Sequence, residues 1–209
     1  MYIYFINFSI LILNDTYIEI KESTTGSYKE KGSKFISYTF PVYSEIEVKN
    51  NLEAVKKIEY AAQHHCYAYV IKSDKSLQRT NDDGEPSSTA GKPILGQILS
   101  NNLTNILIIV VRYFGGIKLG TPGLIGSYKE ATNQALLKAK FITKTLKEEY
   151  EVRFKYPEIN NVMRLVKEFN LEIINTNFQM ECVLTFRVPK SNSQKILESF
   201  NKNHKLLIK

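Results

Sequence analysis

The spacing of hydrophobic residues changes several times along the chain, and each change marks an element. Residues 16–22 (TYIEIKE) and 34–42 (KFISYTFPV) read as strands, separated by the turn-rich STTGSYKEKGS. From Ser44 to Gln63 the period lengthens to that of a helix. Ile46, Leu52, Val55, Ile58 and Ala62 fall on one broad stripe expected to face the core, with Ser44 placed to cap the start. Residues 66–72 return to alternation, Cys66, Ala68 and Val70 on one face and Tyr67, Tyr69 and Ile71 on the other. A polar loop over 73–88 carries the turn DDGEP, and a short helix is predicted from Pro93 to Leu103 through Ile94, Ile98 and Leu99. Ile106 to Val111 is an unbroken run of six apolar residues, which predicts a central strand covered on both faces.

Arg112 ends that strand, Gly115 and Gly116 turn the chain, and a helix is predicted from Pro122 to about Ala139. Thr121 suits its N-cap, and Pro122 suits the first helical position, where a missing N–H costs nothing. Leu124, Tyr128, Ala131 and Ala135 recur at helical spacing. Phe141 to Thr145 reads as a junction. Beyond it come a strand (146–156), a helix opened by Pro157 and running to Phe169, two tightly joined strands (171–178 and 180–188), a helix from Ser191 to Asn203 with Ile196, Leu197 and Phe200 inward, and a short edge strand at 206–208. This βαββα(β) order within about 65 residues suggests a ferredoxin-like domain. The whole is α+β, with expected boundaries at 1–15 (an extension), 16–140 and 141–209.

Composition narrows the class without fixing it. With 43% hydrophobic and 23% charged residues in 209, the chain has enough apolar surface for one or two packed cores. The net charge of +7 is spread over both halves with no basic cluster, so anionic partners are favoured but not demanded. Cys66 and Cys182 form no CxxC pair, which argues against a zinc ribbon or a disulfide framework and fits a reducing cytoplasm. The first thirteen residues, MYIYFINFSILIL, lack a basic leader and a cleavage site and are too short to span a bilayer. They read as an extra edge strand or as residues upstream of the true domain, with membrane anchoring the lesser alternative.

Candidate chemistry concentrates between Arg79 and Lys140, which holds eight of the ten glycines and therefore points to a shaped surface as well as a scaffold. A strand ending in a glycine turn before a helix N-terminus offers free N–H groups and a positive dipole end to an anion. Arg112, Tyr113, Lys118 and Lys92, with Gly115, Gly116, Gly120 and Thr121, form the candidate binding set: the cations for phosphate, and Tyr113 with Phe114 for stacking on bases. In the alternative, the aromatic pair packs against the adjacent helix and Arg112 pairs with Asp82, Asp83 or Glu85. Those three carboxylates are the candidate catalytic set, as an acid/base group or, with His64 and His65, as metal ligands. The competing reading is a solvated turn in which Asp bonds its own backbone, and it is preferred for metal because His64 and His65 point opposite ways on a strand. Cys66 beside His65 is read as packing rather than as a nucleophile. Neither GxSxG nor HExxH occurs, and no metal or cofactor is expected.

The run GKPILGQILSNNLTNILIIVVRYFGGIKLG (Gly91 to Gly120), with DDGEP (Asp82 to Pro86) before it and KGSKFI (Lys31 to Ile36) and HHCYAYV (His64 to Val70) upstream, resembles the signature of the YigZ/IMPACT family. The resemblance covers about residues 28–140. It implies a larger domain with the ribosomal-protein-type fold of domain IV of elongation factor G and a smaller ferredoxin-like one. It further implies contact with RNA, the ribosome or a translation-related protein, since eukaryotic relatives of this domain regulate translation. The function expected is therefore non-catalytic RNA or ribosome binding; the alternatives are a hydrolase using Asp82, Asp83 and Glu85, or a protein-interaction module. Two positions depart from the family's pattern. Ser88 stands where glycine or alanine is usual and is strained if the backbone there needs positive φ, and Pro122 stands where glycine is usual and removes one N–H.

Overall fold

The computed structural model describes residues 15–209; the reading of residues 1–13 lies outside them. Contacts divide the described chain into two compact units, Tyr17–Lys144 and a second formed by Thr145–Lys209 with Asp15 and Thr16.

In the first unit, β2 (Thr24–Glu30), β3 (Ser33–Pro41), β4 (His64–Ile71), β5 (Leu77–Asn81) and β6 (Ile106–Tyr113) form one sheet in the order β2-β3-β6-β4-β5, every pair antiparallel. β6 is central, and its alternate residues enter different cores. Ile106, Ile108 and Val110 pack with Phe35, Cys66, Ala68 and Val70 under α2 (Gly91–Ser100) and α3 (Gly120–Leu136). Leu107, Ile109 and Val111 pack with Tyr69 and Ile71 under α1 (Glu45–Ile58). All six are fully buried, as an unbroken apolar run requires. β1 (Thr16–Ile20) and β7 (Phe141–Thr145) form a separate two-stranded sheet, so the stretch read as a junction is a strand.

Three local readings are corrected. The turn-rich stretch after residue 22 contains β2, and the polar loop after residue 72 contains β5. β2 meets α3 through small and polar residues. Thr24 Oγ1 donates to the Ala135 carbonyl at 2.9 Å, and a Cβ on Gly26 would stand 2.4 Å from Ala135 N. On α1 the inward residues are Val48 and Val55, 4% and 2% exposed, whereas Ile46 and Ile58 are 73% and 68% exposed.

The second unit runs β8 (Lys147–Lys155), a 3₁₀ turn (Tyr156–Glu158), α4 (Ile159–Glu168), β9 (Glu172–Phe178), β10 (Glu181–Pro189), α5 (Lys190–Asn201) and β11 (Leu207–Ile208). Its sheet has the order β11-β8-β10-β9 and is antiparallel throughout. β10 alternates as a half-buried strand should, with Cys182, Leu184, Phe186 and Val188 inward against Val162, Ile196 and Phe200 of the two helices. The molecule is thus α+β in two units. No described helix is long and apolar enough to cross a membrane.

Candidate functional site

Each carboxylate of the acidic turn has a different partner. Asp82 Oδ1 accepts from Ala90 N at 3.0 Å and Gly91 N at 2.8 Å, and its Oδ2 accepts from Ser88 N at 2.8 Å. Burial works against its ionisation, but these three bonds outweigh it and hold the carboxyl below its ordinary range. Asp82 thereby ties the turn to the start of α2. Ser88 has φ +67°, the left-handed conformation that its departure from the family's pattern made suspect. Asp83 Oδ2 accepts from His65 N at 2.6 Å, and the Asp83 carbonyl lies 2.8 Å from His64 Nδ1. Among the described residues no group of three or more His, Cys, Asp and Glu is placed to hold a metal.

Glu85 is the carboxylate that meets the end of β6. Its side chain is 4% exposed, and Oε1 accepts from Arg112 Nη1 at 2.7 Å and from the Tyr128 hydroxyl at 2.9 Å. Arg112, itself 7% exposed at the side chain, also reaches Ser33 Oγ at 3.4 Å and lies 5.5 Å from the rings of Phe35 and Phe114. Such a pair offsets desolvation only through good geometry and further hydrogen bonds, and both are present here. Cys66 Sγ sits 3.3 Å from the Tyr128 hydroxyl and 2.9 Å from the Asp82 carbonyl. Burial pushes its thiol well above the usual range, which leaves it protonated and suited to packing. Burial likewise raises Tyr128, so its hydroxyl remains a donor to Glu85.

Glu85 and Arg112 also line an open pocket of about 350 Å³, together with Pro86, Phe114, Lys118, Leu119, Gly120, Thr121 and Leu124. The backbone reaches it by a close crossing. A Cβ on Gly115 would stand 1.9 Å from the Gly32 carbonyl carbon, so the turn after β6 can pass there only as glycine. Gly116 and Gly120 follow with φ of +87° and +69°. The helix then opens at Gly120, two residues ahead of Pro122, and no side chain caps it. Thr121 is therefore not the cap expected from the sequence. Among the described residues no side chain accepts from the first-turn N–H groups, of which Pro122 supplies none, and Gly120 and Thr121 line the pocket.

The structure thus brings Arg112, Lys118, Gly120, Thr121 and Glu85 to one pocket and leaves other candidates outside it. Tyr113 lies on the opposite face of β6 with the α1 core, where its hydroxyl bonds Glu59 and is pushed up to about 12 by that bond. Lys92 is an exposed residue of α2 near Asp82 and does not line the pocket. Arg112 is buried and engaged, so it is not free for an outside phosphate as a surface arginine would be. Sequence reasoning missed Tyr128 as a partner of Glu85; a phenol within an otherwise apolar helical stripe was the available signal.

With this geometry in view, similarity to known proteins is informative. The family described as the Impact N-terminal domain matches residues 31–136, a segment that includes the acidic turn, β6 and all of α3. The IMPACT family member YigZ of Escherichia coli (strain K12) is 35% identical over 161 residues, 76% of this chain and 79% of its own. An IMPACT family member of Haemophilus influenzae is 33% identical over 190 residues, 88% of this chain and 89% of its own. A crystal structure described only as that of a hypothetical protein superposes with a TM-score of 0.67 at 29% identity, over 93% of this chain and 96% of that one. The chain belongs to the IMPACT family.

Proposed function

We propose that this protein is a non-catalytic binding protein of the cytoplasm that takes single-stranded RNA, free or on the ribosome, at the pocket between the acidic turn and the start of α3. The observation that carries the reading is the placement of exposed Lys118 and half-exposed Phe114 beside an uncapped helix N-terminus. A cation and free N–H groups suit a phosphate, and an exposed ring suits a base. The absence of a catalytic role is supported by the three carboxylates of the turn, each held by structural partners. The role in translation regulation follows from the resemblance of the larger domain to regulators among eukaryotic relatives, and the fold of elongation factor G domain IV is proposed for it on the same ground. The ferredoxin-like assignment of the smaller unit rests on its βαββαβ order and the sheet order β11-β8-β10-β9.

The test is fluorescence anisotropy with a labelled single-stranded RNA over a salt series. Binding should weaken steeply with salt, and Lys118→Ala should lower the log–log slope by roughly 0.7, because one phosphate fewer is neutralised. No binding at about 50 mM salt, or a slope unchanged by the substitution, overturns the proposal.

A further inference from the structure

The sheet of the smaller unit has a helix-covered side and an open side, and the two differ in charge and in rings. On the open side each cation of β8, β9 and β10 stands by a carboxylate. Lys147 meets Glu172, Arg153 meets Glu151 at 2.7 Å, Arg187 meets Glu149 at 3.2 Å, and Lys155 lies opposite Glu181 in the pairing of β8 with β10. Tyr150, Phe154, Phe178 and Phe186, the aromatic residues of these strands, all share the covered side. A sheet that takes RNA stacks bases on exposed rings over a positive surface. This open side offers neither.

The outer surface of the helices is different. Residues 156–169 and 190–205 hold six basic and three acidic residues, a net charge of +3 with His204 neutral. Lys167, Lys195 and Lys202 are exposed and meet no carboxylate among the described residues. α4 and the end of α5 line an open groove of about 420 Å³, the first through Asn161, Arg164 and Glu168, the second through Ser199, Lys202 and Asn203. Glu158 fixes its shape. This carboxylate, 10% exposed at the side chain, accepts through Oε2 from Asn161 Nδ2 at 2.8 Å and Asn203 Nδ2 at 3.0 Å, and its Oε1 meets Lys205 Nζ at 3.1 Å. It thereby ties α4 to the turn after α5. Arg164 gives Nη1 to Glu168 at 3.1 Å and, 67% exposed at the side chain, keeps further donors turned to solvent. Among the described residues neither helix exposes a large apolar side chain.

We infer that the helix side of the smaller unit, centred on the groove of Arg164 and Lys202, is a second RNA-contacting surface, one that takes the phosphate backbone and reads no base. This rests on the RNA reading above and adds to it a surface that the pocket at α3 does not include. Two exposed cations from different helices, held at one groove by the Glu158 clasp, suit the oxygens of a phosphate. With no ring exposed on either helix, contact stops at the backbone, where it positions RNA without selecting sequence. The same lack of an aromatic or aliphatic anchor disfavours a protein partner, whose binding energy concentrates in such anchors.

The experiment is a salt series of fluorescence anisotropy on the full chain, with labelled oligouridylate and oligoadenylate as probes. Arg164→Ala and Lys202→Ala should each lower the log–log slope by roughly 0.7, and the double variant by about 1.4, equally for the two probes. Both side chains are exposed, and neither belongs to the Glu158 clasp. Lys155→Ala removes the same charge from the open side of the sheet and should leave the slope unchanged. A slope unaltered in the double variant, or lowered as much by Lys155→Ala, overturns the inference and leaves the RNA reading standing. An effect of the double variant on one probe only overturns it too, because a backbone contact does not distinguish bases. Displacement of the probes by polyglutamate as effectively as by unlabelled RNA assigns the surface to an acidic protein and also overturns it. Failure of both probes to bind at about 50 mM salt removes this inference and the RNA reading together.

Discussion

Ser88 and Asp82 show how single residues set the shape of the acidic turn. Ser88 holds φ +67°, where a Cβ crowds its own carbonyl. Ser88→Gly should therefore stabilise the protein by about 1 kcal/mol, read as a higher urea midpoint at unchanged slope. Its N–H to Asp82 is a backbone bond that the substitution keeps. Asp82 makes a prediction in pH. Its folded pKa lies below the ordinary value of 3.8, so it adds stability above that pH, and the contribution is lost as the pH falls through and below it. Acid unfolding of Asp82→Asn, followed by circular dichroism from pH 6 to pH 2, should show lower stability at neutral pH and a shallower acid limb than the parent protein.

Among the elements, α1 shows what hydrophobic spacing resolves and what it blurs. The helix and its cap follow from the sequence: Ser44 Oγ accepts from Glu47 N at 3.3 Å, and Glu47 reaches back to Tyr43 N at 2.9 Å. Ser44→Ala should cost about 1 kcal/mol in a urea titration. The buried face is narrower than the apolar stripe, because the sheet covers only the side carrying Val48 and Val55 and leaves Ile46 and Ile58 in solvent. β2 and β5 were illegible for the opposite reason. They are edge strands with few apolar residues, held by backbone pairing to β3 and β4, and backbone pairing leaves no mark in side-chain pattern.

On the scale of the molecule, each unit encloses its own core, and none of the three buried clusters draws residues from both. A fragment spanning residues 15–145, which keeps both β1 and β7, should fold alone. Its ¹H–¹⁵N spectrum is expected to overlay that of the same residues in the full chain; a spectrum of poorly dispersed amides would refute this. The sequence by itself determined the elements whose side chains face a core, from the six-residue run of β6 to the alternation of β10, because burial leaves a period that survives in one dimension. It also determined the family, through short motifs around the acidic turn and β6. Only the tertiary structure decided which carboxylate Arg112 meets, that Tyr113 and Lys92 stand away from the pocket, and that α3 opens uncapped at Gly120. Those facts depend on contacts between residues 27 or more apart, such as Glu85 with Arg112 and Gly115 with Gly32, and on how closely two backbones cross. Such contacts are fixed by packing in three dimensions, which local spacing does not encode.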